Sequence, residues 1–215
     1  MRLQYALTMN DPKSPDAAAM QSVSSTATSG LTRTDILTAL GYLQSKEGAG
    51  LALMYAKYAK DSGEFKRAVK AAATEAQVLA IKVVSKGRDR KHAVIAQSLA
   101  RLAVLEYCRT ADTPGAKCRC GGTGRIADAE LIARAPKDAK PDELTRPCER
   151  CRGTGLRPVP ASRVYRAIVT LAPELAEHTY YRHWRPVYDS LLAWCYTQED
   201  RAEAGYVKLT RREAA

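Results

Sequence analysis

Apolar positions recur at helical spacing over most of the chain. Ile36, Leu37, Leu40 and Leu43 follow Thr34, a capping residue, and Asp35, an acid suited to a first turn, and predict a helix up to Gln44. Two more helices are expected over residues 51 to 60 and 65 to 85. A fourth runs from about Lys91 to Arg109, where Ile95, Leu99, Leu102 and Leu105 fall at i, i+4, i+7 and i+10. Residues 10–30 show no apolar period, with Pro12, Pro15 and a Ser/Thr/Ala run, and read as a flexible arm. Thr113-Pro114-Gly115 breaks the helical pattern, and Pro136, Pro141 and Pro147 keep the following stretch irregular. Helices resume after Pro158 and Pro160. Ser162 caps one carrying Val164, Ile168 and Leu171. A second starts around Glu177 to Thr179 and carries Val187, Leu191, Trp194 and Cys195, and Pro186 should kink or restart it. Two helices joined by a turn of about four residues have the outline of a helix-turn-helix, although any antiparallel helix pair produces it.

Composition agrees with a mainly α protein. Among 215 residues there are 36 Ala, one Phe and two Trp, which suits helices packed closely through small side chains and leaves too few strand formers for an all-β fold. The net charge is +11, and a surplus of that size favours polyanionic partners. It is regional: +7 falls within residues 31–110 and only +1 within residues 161–215. The densest run is Lys82, Lys86, Arg88, Arg90 and Lys91 against Asp89 alone, which is either a solvated helix end and loop or a surface for phosphates or an acidic protein. No run approaches the roughly 18 apolar residues of a membrane span, and no secretory signal is found, so a cytosolic, soluble chain without membrane partners is expected.

Four of the six cysteines gather in the proline-broken stretch. They read Cys118-Arg-Cys120-Gly-Gly-Thr-Gly and Cys148-Glu-Arg-Cys151-Arg-Gly-Thr-Gly. Glycine after the second thiolate lets backbone N–H groups turn towards sulfur, and two such knuckles make a tetrahedral Cys₄ zinc site. A segment with so few large apolar side chains cannot build its own core, and zinc would supply the missing folding free energy. A disulfide framework fits poorly in a cytosolic chain. The first group is CxC, a tighter chelate expected to distort one ligand or weaken the site, with Cys108 as a reserve ligand. Cys108 and Cys195 otherwise read as buried small hydrophobes. Catalysis finds no support: His178 and His183 are five apart, and neither a phosphate-binding GxxxxGK[ST] nor a GxSxG elbow occurs. The expected architecture is a helical bundle with an inserted Cys₄ zinc knuckle and a C-terminal helix-turn-helix-like pair, divided as an arm over 1–30, a helical body over 31–111, the zinc insertion over 112–158 and the C-terminal helices over 159–215.

Several of these segments together resemble the lambda-type late-gene antitermination protein Q family of phages. They are the stretch from Tyr107 to Gly124, Cys148-Glu-Arg-Cys151, the stretch from Pro160 to Ala167, Arg185-Pro-Val-Tyr-Asp189, and the early Pro12-Lys-Ser-Pro15 and Gln44-Ser45. The resemblance implies a factor that binds an element within late-promoter DNA and engages RNA polymerase paused with its primary sigma factor attached. It would contact the polymerase flap and sigma region 4, and constrict the RNA exit channel so that terminators are read through. It implies Cys118, Cys120, Cys148 and Cys151 as zinc ligands, and a DNA-reading helix starting near Thr179 with Tyr180, Tyr181, Arg182 and Arg185 exposed. Arg163 and Arg166 lie on the helix before it. Lys82, Lys86, Arg88, Arg90 and Lys91 become candidates for gripping polymerase or nascent RNA in the host bacterial cytoplasm. Two departures stand out: CxC in place of the family's CxxC, and Ala176-Glu177-His178 in place of a Thr-Gln-Pro helix start, from which a different DNA site is expected. The competing readings are a zinc-containing DNA-binding repressor and a zinc-knuckle chaperone or scaffold. Co-chaperone knuckles come in fours beside a His-Pro-Asp tripeptide, which this chain lacks.

Overall fold

In the computed structural model, residues 2–9, 33–83, 90–136 and 139–211 are described, and they divide into two units. The larger spans residues 1–108 and 164–215, and the smaller is Arg109–Arg163. The expected mainly α architecture is observed, with one small two-stranded sheet.

The larger unit is built from α1 (Leu3–Met9), α2 (Arg33–Lys46), α3 (Gly48–Met54) with a π turn over Tyr55–Ala59, α4 (Ser62–Val83), α5 (Arg90–Tyr107) and the C-terminal helices. Those are α7 (Ala161–Val169, whose first turn belongs to the smaller unit), α8 (Glu177–Thr179), a π turn (Tyr180–Trp184) and α9 (Arg185–Thr210). Lys60 closes the first π turn in the left-handed region at φ 56°. Asp61 Oδ1 then accepts from the N–H groups of Gly63 and Glu64, which starts α4.

Alanine sets the spacing of α4 and α5. Ala68, Ala72, Ala76 and Ala80 recur every four residues and are all buried, as are Ala96, Ala100 and Ala103 on α5. Side chains this small let two helices approach closely through their i, i+4 ridges. A still closer crossing joins α3 to α9, where a Cβ on Gly50 would stand 2.1 Å from the Gln198 carbonyl oxygen. Along α9, Val187, Leu191, Cys195, Gln198, Ala202 and Tyr206 form the inward stripe, at spacings of four with a single three that keep one helix face turned to the core.

The arm expected over 1–30 is not one element. Leu3, Ala6 and Leu7 of α1 are fully buried against Ile36, Leu40, Leu43, Leu51 and Tyr206, and the Leu3 N–H donates to Glu203 Oε2 at 2.9 Å. A carboxylate at a helix N-terminus satisfies an otherwise orphaned donor. Residues 10–30 lie outside the described residues. A second anchor is Lys57, whose Nζ is 3.1 Å from Glu199 Oε2 and 4.4 Å from the centre of the Tyr107 ring, while Tyr58 Oη donates to the same carboxylate at 2.7 Å.

The smaller unit has β1 (Arg125–Ala127) pairing antiparallel with β2 (Thr145–Pro147), α6 (Ala129–Arg134) capped by Asp128, and a 3₁₀ turn at Pro141–Leu144. Its buried cluster consists of Cys118, Cys148 and Cys151 with Cys120 and Ile126 against them. A cluster dominated by thiols is a poor apolar core.

Candidate metal centre and nucleic-acid interface

The two cysteine groups are near copies in space as well as in sequence. The Cys118 N–H donates to the Gly155 carbonyl at 2.9 Å, and the Cys148 N–H donates to the Gly124 carbonyl at 2.7 Å. Thr123 Oγ1 donates to the Cys120 carbonyl at 3.0 Å and accepts from the Arg125 N–H; Thr154 Oγ1 does the same between the Cys151 carbonyl, at 2.7 Å, and the Leu156 N–H. Lys117 bridges Leu156 as Pro147 pairs with Arg125. Each knuckle is thus clasped by the Gly-Thr-Gly of the other.

The clasp requires glycine. Gly124 at φ +76° and Gly155 at φ +72° occupy the left-handed region, and a Cβ on either would lie 2.1 Å from a backbone oxygen of the opposite knuckle, Gly153 O and Gly122 O respectively. Gly121 and Arg152, the residues after each second cysteine, are both left-handed too, Arg152 at φ 49°.

All four sulfurs lie within 4.8 Å of one another, and the Cys120–Cys151 edge is 3.8 Å. A metal–sulfur bond of about 2.3 Å in a tetrahedron gives an edge of roughly 3.8 Å, so the four thiols fit a tetrahedral metal ion. The reserve role expected for Cys108 is not needed, because Cys118 reaches the cluster despite the shortened loop: its N–H is held by Gly155 where Cys148 is held by Gly124. Burial raises the Cys120 thiol, but the backbone N–H groups of Gly124 and Gly122 and the neighbouring cysteines outweigh it and bring the group down to about 7. Cys151 is pushed up to about 11 by burial, partly offset by the Gly155 N–H. One proton-poor thiol among its neighbours is an arrangement a cation completes. The clasp is what spacing alone left out, and its only trace in the sequence is the repeated Gly-Thr-Gly.

The C-terminal pair departs from a four-residue turn. Residues 170–176 join α7 to α8, and Tyr165 Oη donates to the Leu175 carbonyl at 3.2 Å across them. Pro186 is accommodated by the π turn just before it, in which the Arg185 N–H reaches the Tyr180 carbonyl. Tyr180, expected to be exposed, is fully buried, between Tyr165 and Tyr181 at ring distances of 5.2 and 5.1 Å. The stripe of Val187, Leu191 and Cys195, continued back through Trp184, reaches it at helical spacing, and that signal would have found it. Arg163, Arg166, Tyr181 and Arg182 are exposed, Thr179 is half-buried, and Arg185 is committed to Asp189 by two contacts of 2.9 Å. In the basic run, Lys82 is exposed and Lys91 pairs with Glu174 at 3.2 Å; Lys86, Arg88 and the Arg90 side chain lie outside the described residues.

Residues 112–203, which hold both knuckles and most of the C-terminal pair, match the family model for antitermination protein Q. The antitermination protein Q of Salmonella phage P22 is 36% identical over 206 residues, covering 94% of this chain and 96% of that protein. The proteins of the same name from Escherichia phage lambda and phage HK022 are each 35% identical at the same coverage. The chain belongs to the antitermination protein Q family. It is a phage late-gene transcription antitermination factor, and hence a regulator of transcription. For this family member the cysteine cluster is a candidate metal site, and no helix among the described residues is long and apolar enough to cross a membrane.

Proposed function

We propose that the chain works as a non-enzymatic, zinc-containing factor in the host cytoplasm that binds late-promoter DNA, loads onto paused RNA polymerase and drives read-through of terminators. Membership of the antitermination protein Q family over 94% of the chain carries this reading. Antitermination requires a factor to meet both the template and the enzyme transcribing it. Cys118, Cys120, Cys148 and Cys151 hold the metal, and zinc suits four thiolates with no open position, supplying folding free energy to a unit that lacks an apolar core. Contact with DNA falls to Arg163 and Arg166 on α7 and to Tyr181 and Arg182 in the π turn ahead of α9, with Thr179 just before that turn. Phosphate contacts fix register, and arginines at base edges select sequence. Tyr180 serves this surface from beneath, as packing. Arg185 joins it only by leaving Asp189.

Lys82 and Lys91, with Lys86, Arg88 and Arg90 between them in sequence, form the grip on polymerase or nascent RNA; the flap, sigma region 4 and the RNA exit channel are the polymerase-side targets. The deciding experiment is transcription from the cognate late promoter through a downstream terminator, with and without the protein. Read-through that disappears when the promoter element is scrambled supports the whole reading. Promoter binding without read-through selects a DNA-binding repressor instead. Chelation should abolish both activities together with part of the helical signal.

A further inference from the structure

A groove of about 580 Å³ runs along the larger unit between α4, α5 and the end of α7. Its lining is aliphatic at Val69, Ala73, Leu102 and Leu171, and Leu171 is 60% exposed although it continues the apolar positions Val164 and Ile168. Val94 and Leu105 lie on α5 at helical spacing before Ser98 and after Arg101 of the lining. They continue the apolar strip in both directions and are 38% and 44% exposed. Exposed aliphatic side chains gathered along one groove make it a candidate interaction surface.

Charge narrows the occupant. Lys66, Lys70 and Arg101 stand at the rim, all exposed, none in an ion pair among the described residues, and no carboxylate lines the groove. Lys66 and Lys70 are four apart on one helix face, a like-charge pair that disfavours the isolated helix and is relieved by an incoming carboxylate. Nucleic acid is the weaker candidate: no aromatic side chain lines the groove to stack a base, and phosphates gain nothing from an aliphatic floor. We propose that this groove docks an acidic amphipathic helix of a protein partner, with aliphatic anchors seated on Val69, Leu102 and Leu171 and flanking carboxylates meeting Lys66, Lys70 and Arg101. The inference rests on the lining of the groove itself and stands whether or not the DNA assignment does.

The test uses the full metal-loaded chain and a fluorescent peptide with leucines at i, i+3, i+4 and i+7 and glutamates between them. A scrambled peptide of the same composition, a lysine-for-glutamate peptide and a single-stranded RNA serve as competitors. Saturable binding of the first peptide is expected. It should weaken by roughly tenfold in the double variant Lys66→Glu with Lys70→Glu and in Leu171→Asp, while the lysine peptide gains on the charge-reversed protein. All three positions are exposed, so unchanged thermal melts keep the comparison clean. Absence of peptide binding, equal binding of the scrambled peptide, or a labelled RNA whose binding is lost in Leu171→Asp would each overturn the proposal.

Discussion

Replacing Gly124 by alanine probes the clasp without touching a sulfur. The new Cβ would stand 2.1 Å from Gly153 O, against about 3.3–3.6 Å for an ordinary carbon–oxygen contact, so one knuckle must retreat from the other by more than an ångström. Residue 124 also sits at φ +76°, where a Cβ costs about 1–2 kcal/mol. Overpacking against backbone adds about 1–3 kcal/mol, and the stiffer unfolded chain returns about 0.4–1 kcal/mol. The net is a loss of about 1–4.5 kcal/mol, which, with folding of this unit coupled to zinc as proposed, means zinc affinity lower by roughly 5- to 1,600-fold. Gly121→Ala and Gly153→Ala are internal controls: both are left-handed, at φ +78° and +85°, but a Cβ on either meets nothing within 4 Å. They should lose about 1 kcal/mol and less than about tenfold in affinity. Competition against a chromogenic chelator, with cobalt–thiolate absorption as a second readout, measures all three. If Gly124→Ala and Gly121→Ala bind zinc equally, the close approach of the knuckles is not what organises the site.

Gly50→Ala, whose Cβ would meet the Gln198 carbonyl oxygen of α9 at 2.1 Å, should destabilise the larger unit by about 3 kcal/mol in urea titration while leaving zinc affinity unchanged; a shift under about 0.5 kcal/mol refutes a backbone contact there. Among the thiols, Cys108 is pushed up to about 11 and Cys195 to about 12, both chiefly by burial. In chelated protein at pH 8, iodoacetamide should therefore modify Cys120, brought down to about 7, before these two, and early labelling of Cys195 would contradict its burial. Because the folded state holds the Cys108 and Cys195 protons to higher pH than the unfolded chain does, their contribution to stability declines as pH rises above the ordinary thiol value of about 8.5. Arg182→Ala should weaken late-promoter binding by about 1–3 kcal/mol in gel-shift titration at fixed salt. Arg185→Ala should change stability by only about 0.3–0.5 kcal/mol, as an exposed i, i+4 pair does, and a larger effect on DNA than that of Arg182 would reverse their assigned roles.

Most helices were legible because their signals are local. Thr34 and Asp35 ahead of Ile36, and the alanine-rich stretch with few aromatics, state helix and close packing within a turn or two of chain. α1 was missed because its seven residues carry no period long enough to separate it from the arm behind it, and only Glu203 and the core around Tyr206 make it a helix worth keeping. The four-cysteine cluster was legible for a related reason: thiols two or three positions apart have little other use in a segment without a core.

Family membership, the helical class and the grouping of four cysteines into one candidate metal site were therefore determined by the chain alone, since each rests on residue types at short spacing. What an exposed side chain does was decided by the fold. Tyr180 became core because a π turn ahead of Pro186 carries the apolar stripe of α9 back to it, and Arg185 was taken by Asp189 one turn on. The two Gly-Thr-Gly segments, more than twenty residues apart, became mutual clasps only when the hairpin of β1 and β2 brought them within backbone contact. Contacts between distant segments depend on how elements pack, and packing leaves little trace in local periodicity. The same reason explains why charge counted by region pointed at the helical body, while only the assembled groove shows which of its lysines and arginines face an apolar floor.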